Sequence, residues 1–343
     1  MRKSLTALTT AILLPISVLT SSAHAGEPTV VAVLDTGINA HQDLGWSARN
    51  ANQGRASGFI LSGYDFISDA WTAGDGNGWD PDPRDNGDGV NNAEAKQRDC
   101  NPRESSWHGL NVAGTIANLA PSVRILPARI MGRCGGNTAD VAAAILWAAG
   151  EPVPNVPRNS NPARIINLSL SGKSDRCPRP LQTAIDIANE RGAIVVVAAG
   201  STGRSTSEST PANCEGVLVV GSTDKSGSRS PTSNYGPEVT LSTYGGNLAA
   251  EPTQGVWTTT NAGPYRPSKP SRGYFEGSSA AAARMSGALA ELTRRQPTES
   301  NEKLIERLTR AAVPFAVGQC DKGANACGAG IVNIDALLEP TSG

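Results

Sequence analysis

A serine set among small residues and followed by an Ala-rich run, Gly277-Ser278-Ser279-Ala280-Ala281-Ala282-Ala283, is the first place where this chain could do chemistry. At a helix start, unpaired backbone N–H groups can receive negative charge developing on a carbonyl oxygen, and tiny side chains let another backbone come close. Serines at helix starts are ordinarily N-caps, so partners elsewhere must carry the argument. A serine hydroxyl becomes a nucleophile only when an imidazole takes its proton, and the imidazole needs a carboxylate to fix its tautomer. The chain has three histidines, His24, His41 and His108. His108 is the best placed, opening the small-residue stretch His108-Gly109-Leu110-Asn111-Val112-Ala113-Gly114. Asp35 follows an apolar run, in Asp35-Thr36-Gly37. Asp35, His108 and Ser279 thus supply orienting carboxylate, base and nucleophile, in that order.

The elements that must position them are legible. Thr29 to Leu34 is a Val-rich run of the kind buried on both faces of a parallel sheet, and it delivers Asp35 to the strand's C-terminal end, where functional groups gather in α/β sheets. Val123 to Ile130, Arg164 to Leu170, Ala193 to Ala199 and the shorter Gly216 to Val220 read the same way. Helical patterns lie between them: Thr138 to Ala149, stopped by Gly150, and Leu181 to Arg191, stopped by Gly192. Thr298 to Ala312 is a later amphipathic helix. Alternation of strand and helix predicts one α/β domain: a doubly wound, mostly parallel sheet flanked by helices on both faces.

With 343 residues, 38% hydrophobic and 18% charged, the chain can bury a substantial core. Its formal charge of −1 offers no footprint for nucleic acid or an anionic membrane. Residues 1–25 read as a secretory signal: Arg2 and Lys3, an apolar run from Leu8 to Leu19 broken by Pro15, and Ala23-His24-Ala25 before Gly26. Export with removal of that segment is expected, with no membrane span afterwards. Six cysteines follow it, Cys100, Cys134, Cys177, Cys214, Cys320 and Cys327, with no C-x-x-C pair, so three disulfides are expected in an oxidising compartment. Several pairings are open. The one carried forward joins neighbours in sequence: Cys100 with Cys134, Cys177 with Cys214, Cys320 with Cys327.

From about Thr29 to Leu338 the chain resembles subtilisin-like serine proteases, the subtilase family, and most closely their secreted, disulfide-bearing bacterial branch. Val33-Leu34-Asp35-Thr36-Gly37 resembles the family's aspartate segment, and Trp107-His108-Gly109 its histidine segment. Asn167-Leu168-Ser169-Leu170 resembles the substrate-binding segment, Val195 to Gly200 the oxyanion segment, and Gly277-Ser278-Ser279-Ala280 the serine segment. The resemblance implies residues 26–343 as one peptidase domain that cleaves peptide bonds through an acyl-enzyme, without a catalytic cofactor. It implies Asp35 orienting, His108 as base then acid, and Ser279 as nucleophile. The Gly135-Gly136 edge and the Ser169-Leu170-Ser171-Gly172 strand would pair with extended peptide or protein substrate. A secreted monomer is the expected form.

Departures from the family pattern are equally specific. The oxyanion asparagine is replaced by Ser201, whose shorter hydroxyl is the expected donor. Asn111, Leu110 and Ala283 stand where the family usually has histidine, threonine and proline. Ser171, often glycine in relatives, suggests a crowded first pocket. The Ala117 to Ile125 link is short for a calcium loop, so Asp43 is not carried over as a ligand. Only Gly26-Glu27-Pro28 separates the expected cleavage from the first strand, so autocatalytic maturation is not expected. These departures also define an alternative, a pseudoprotease keeping the scaffold as a binding module.

One metal hypothesis comes from the Asp-rich loop between Asp75 and Asp88, where Asp75, Asp80, Asp82 and Asp85 offer hard oxygen ligands for a structural Ca²⁺. No glutamate closes the loop in the EF-hand manner, and a solvated acidic turn is the rival reading. Asn167-Leu168-Ser169 is formally a glycosylation sequon inside an expected buried strand. Asp35-Thr36-Gly37 also occurs in aspartic proteases, but no second such segment exists here.

Overall fold

The computed structural model describes residues 28–51, 58–323 and 326–339. The expected secretory segment, residues 1–25, lies outside them.

Among the described residues a nine-stranded sheet organises the fold. Its strands run, edge to edge, Ala312–Val313, Ile331–Val332, Leu241–Tyr244, Val217–Thr223, Ile194–Ala198, Ile165–Leu168, Val30–Asp35, Arg124–Arg129 and Tyr64–Asp65. Every pairing is parallel except the edge pair Ala312–Val313 with Ile331–Val332. The central runs are apolar throughout because both faces are covered. Val31 and Val33 face one core and Ala32 and Leu34 the other, as the two-residue period of a strand requires.

Helices His108–Leu119, Ser278–Arg295 and Asn301–Ala311 contribute to the first core, and Thr138–Ala148 and Arg179–Glu190 to the second. The sheet is therefore wound on both faces, as the alternation of patterns predicts. The expected base and nucleophile begin two helices on the same face. Those helices pack through small residues: a Cβ at Gly287 would approach the Leu119 side chain to 3.0 Å.

Local chemistry sets the boundaries. Asn137 caps the Thr138 helix by accepting from the Asp140 N–H at 2.9 Å. Ser300 caps the last long helix, which begins at Asn301 and not at Thr298, because its hydroxyl accepts from the Lys303 N–H. The strand expected from Arg164 to Leu170 leaves the ladder after Leu168, which puts Ser169, Leu170 and Ser171 on the rim. A hairpin of Val256–Asn261 with Pro270–Phe275 was not expected from sequence; its Thr258 and Thr259 hydroxyls donate to the Asn111 and Leu110 carbonyls of the His108 helix.

The three disulfides join sequence neighbours, Cys100–Cys134, Cys177–Cys214 and Cys320–Cys327. Among the described residues no helix is long and apolar enough to cross a membrane.

Candidate active site

Asp35 is the last residue of its strand and is fully buried. Its carboxylate accepts from the Thr36 N–H at 2.7 Å and holds His108 Nδ1 at 2.8 and 2.9 Å from its two oxygens. That contact makes Nδ1 the protonated nitrogen and leaves Nε2 as the basic one. Burial pulls the imidazole pKa down, but the Asp35 charge and hydrogen bond, helped by Asp88, leave it above its ordinary value. Phe275 packs its ring edge-on against His108 at 5.2 Å.

A buried acid fixes the start of the His108 helix. The Thr36 hydroxyl accepts from the Gly109 N–H at 3.0 Å and donates to Asp85 Oδ2 at 2.8 Å. Gly109 has to be glycine, since a Cβ there would meet the Gly37 carbonyl oxygen at 2.1 Å. Burial pushes the Asp85 carboxyl up to about 7, against the lowering influence of Arg129. No sequence signal marks the link between Thr36 and Asp85.

Ser279 is the second residue of the Ser278–Arg295 helix, in its unpaired first turn. Its hydroxyl donates to the Ser169 carbonyl at 3.0 Å, and the Ser169 hydroxyl donates back to the Ser279 carbonyl at 3.0 Å. Asn167 Nδ2 donates to Ser169 Oγ at 3.0 Å, and Ser286 donates to Asn167 Oδ1 at 2.9 Å. Asn167 is thus consumed in a buried network, and its sequon is not an accessible acceptor. The structure forms the Asp35–His108 pair, whereas among the described residues no hydrogen bond joins His108 to Ser279.

Ser201 lies beside the serine segment, its Oγ 3.2 Å from the Ser278 N and 3.1 Å from Ser278 Oγ. The expected substrate edges come together. Gly135, Gly136, Leu170, Ser171 and Gly172 line one cavity of about 240 Å³ together with Met131. Gly135 adopts φ +110°, with no atom within 4 Å of a Cβ built there. Ser171 also borders a cavity of about 90 Å³ with Arg204 and Glu208. Its hydroxyl lies 3.2 Å from where a Gly200 Cβ would be, so the rim is closely packed at this point.

The aspartates expected to hold calcium do not converge. Asp75 faces the Arg129 guanidinium at 3.2 Å, and Asp80 accepts from the Asp82 N–H at 2.7 Å and from Asn77. Asp82 takes Arg84 Nε at 2.8 Å, and Asp85 takes Thr36 and the Gly87 N–H. The buried Arg129, which also holds Asp65 at 2.6 Å and the Thr36 carbonyl at 3.1 Å, supplies the positive charge this loop packs around. Among the described residues no three His, Cys, Asp or Glu side chains gather as a metal-holding group.

The subtilase family matches residues 26–330. An extracellular protease of Xanthomonas campestris is 39% identical over 327 residues, covering 91% of this chain and 51% of its own length. An extracellular basic protease of Dichelobacter nodosus is 35% identical over 335 residues, covering 93% and 51%. The chain therefore spans about half the length of these curated relatives. A solved structure of proteases from Pseudoalteromonas arctica aligns with a TM-score of 0.80 at 37% identity, covering 92% of this chain and 90% of that one. A cold-adapted subtilisin-like serine proteinase, 24% identical with a TM-score of 0.61 over 91% of this chain and 92% of its own, shares the fold. With its doubly wound sheet and matching segments in order, this chain belongs to the subtilase family.

Proposed function

We propose that the chain is a secreted serine endopeptidase working through Asp35, His108 and Ser279. The observation that carries this reading is His108 Nδ1 held between both oxygens of a buried Asp35, with Ser279 in the unpaired first turn of a helix on the same face. With Nδ1–H engaged, Nε2 takes the Ser279 proton as Oγ adds to the scissile carbonyl carbon. The carbonyl oxygen gains negative charge, received by the Ser279 N–H and the Ser201 hydroxyl. Collapse breaks the C–N bond, and His108 hands its proton to the leaving amine. Water then adds by the same route, releasing the acid and restoring Ser279.

Substrate is an extended peptide or protein segment, laid between Gly135-Gly136 and Ser169 to Gly172. Leu170 and Ser171 lie outside the sheet ladder, which supports backbone pairing there. Removal of residues 1–25, export and action as a monomer complete the reading.

One observation favours the pseudoprotease alternative: the Ser279 hydroxyl donates to Ser169 and not to His108. Labelling of the purified protein with a fluorophosphonate probe, with Ser279→Ala as control, followed by casein hydrolysis, decides between them. Labelling lost in the variant is the expected result. Folded protein that takes no label would replace the enzyme reading with the binding module.

A further inference from the structure

The hydroxyl at position 201 has no amide plane to aim it, so something else must direct its proton. Ser278, the residue before the nucleophile, is fully buried, whereas Ser201 is exposed. Three contacts tie Ser278 to the Gly200-Ser201 segment. The Gly200 N–H donates to Ser278 Oγ at 3.0 Å, the Ser278 N–H donates to Ser201 Oγ at 3.2 Å, and the two hydroxyl oxygens are 3.1 Å apart. Gly277 allows the approach, because a Cβ there would meet Ser201 Oγ at 2.8 Å.

A hydroxyl has one hydrogen to give and two lone pairs to fill. If Ser201 donated to Ser278, the Ser278 hydrogen would be left buried without an acceptor, since among the described residues Ser278 Oγ has no other partner than Gly200 and Ser201. Buried polar hydrogens are rarely left so. The reverse direction satisfies everything. Ser278 then accepts from Gly200 and donates to Ser201, both Ser201 lone pairs are filled from the Ser278 side, and the Ser201 hydrogen is left for the exposed side.

We infer that Ser278 is a positioning residue: its buried hydroxyl donates to Ser201 and so turns the Ser201 proton toward the oxyanion that forms beside Ser279. This rests on the proposal that Ser201 is the oxyanion donor. It gives this chain a two-serine relay at the oxyanion site, with Ser278 acting only through Ser201.

A double-mutant cycle on kcat tests it, using Ser201→Ala, Ser278→Ala and the pair, with KM, circular dichroism and thermal midpoint measured alongside. Ser201→Ala is expected to lower kcat toward the roughly hundredfold loss typical of a missing oxyanion donor, with KM nearly unchanged. Ser278→Ala is expected to lower kcat about tenfold when Ser201 is present and to have almost no further effect in the Ser201→Ala background. Ser278→Thr, which keeps a hydroxyl, should restore most of the loss. Equal losses from Ser278→Ala in both backgrounds would overturn the relay and leave Ser201 as donor. The relay is also overturned if Ser278→Ala leaves kcat intact. Unchanged kcat in Ser201→Ala removes the oxyanion role of Ser201, and the relay with it.

Discussion

Ser279 and Ser169 hydrogen-bond each other twice, hydroxyl to carbonyl in both directions, each at 3.0 Å. The hydroxyl of Ser279, the proposed nucleophile, is therefore parked on the proposed substrate-binding rim, and the carbonyl of Ser279 is clamped by a side chain itself held by Asn167. Ser169→Ala removes the clamp but not the Ser169 carbonyl that receives the Ser279 proton. The variant should lose about 1–3 kcal/mol of stability, because Asn167 and the Ser279 carbonyl each lose a buried partner. It should keep fluorophosphonate labelling at Ser279. Chemical denaturation with a labelling assay checks both; wild-type stability would contradict the clamp.

With His108 as the proposed base, its raised pKa is expected to set the acid limb of activity. The base must be neutral to accept the Ser279 proton, so kcat/KM should rise with pH through a midpoint above the ordinary imidazole value of about 6.5. Asp35→Asn removes the charge that lifts it, so the limb should move to lower pH while kcat falls by roughly 10⁴-fold. A pH–rate profile of both proteins reads the shift. A limb that does not move would mean that another group sets it.

Position 201 offers a gain of function. Ser201→Asn supplies a longer donor whose amide reaches further than a hydroxyl, so kcat should rise, by up to about tenfold if half of a lost donor's effect is recovered on a logarithmic scale. Steady-state kinetics on a chromogenic peptide checks this. An unchanged or lower turnover number would show that Ser201 is not the weak point of the site.

Asp75 is ion-paired with Arg129 at 3.2 Å, so its placement needs no calcium. Asp75→Asn should lower stability by about 1–3 kcal/mol through the loss of a charged partner. The loss should be the same in excess calcium and in excess chelator. Thermal unfolding under both conditions is the measurement, and a loss seen only with calcium present would restore the carboxylate as a ligand.

Much of this protein can be read from local pattern. Val31 to Leu34 is apolar without alternation because both faces of its strand are buried, so the strand and the delivery of Asp35 at its end follow from the residues alone. Small residues after His108 and around Ser279 mark helix starts that admit close neighbours, and the sheet's winding follows from strand–helix order. The cysteine pairing of sequence neighbours matches the bridges present. The rim at Ser169 looks like strand in sequence, because Leu168 and Leu170 are alike there while only the first stays in the ladder.

What tertiary structure alone decided is which polar atoms face one another across long separations. Thr36 and Asp85 are 49 residues apart, and Ser201 and Ser278 are 77 apart. Sequence shows each as an ordinary polar residue; only packing places them in hydrogen-bond reach. The acidic loop makes the same point with the opposite outcome. Four carboxylates close in sequence suggest one cation, yet they turn to separate partners, Asp75 to a buried arginine 54 residues away and Asp82 to its neighbour Arg84. Composition counts the charges, but the fold chooses their partners, because a buried charge is stable only where its counter-charge and hydrogen bonds are already in position.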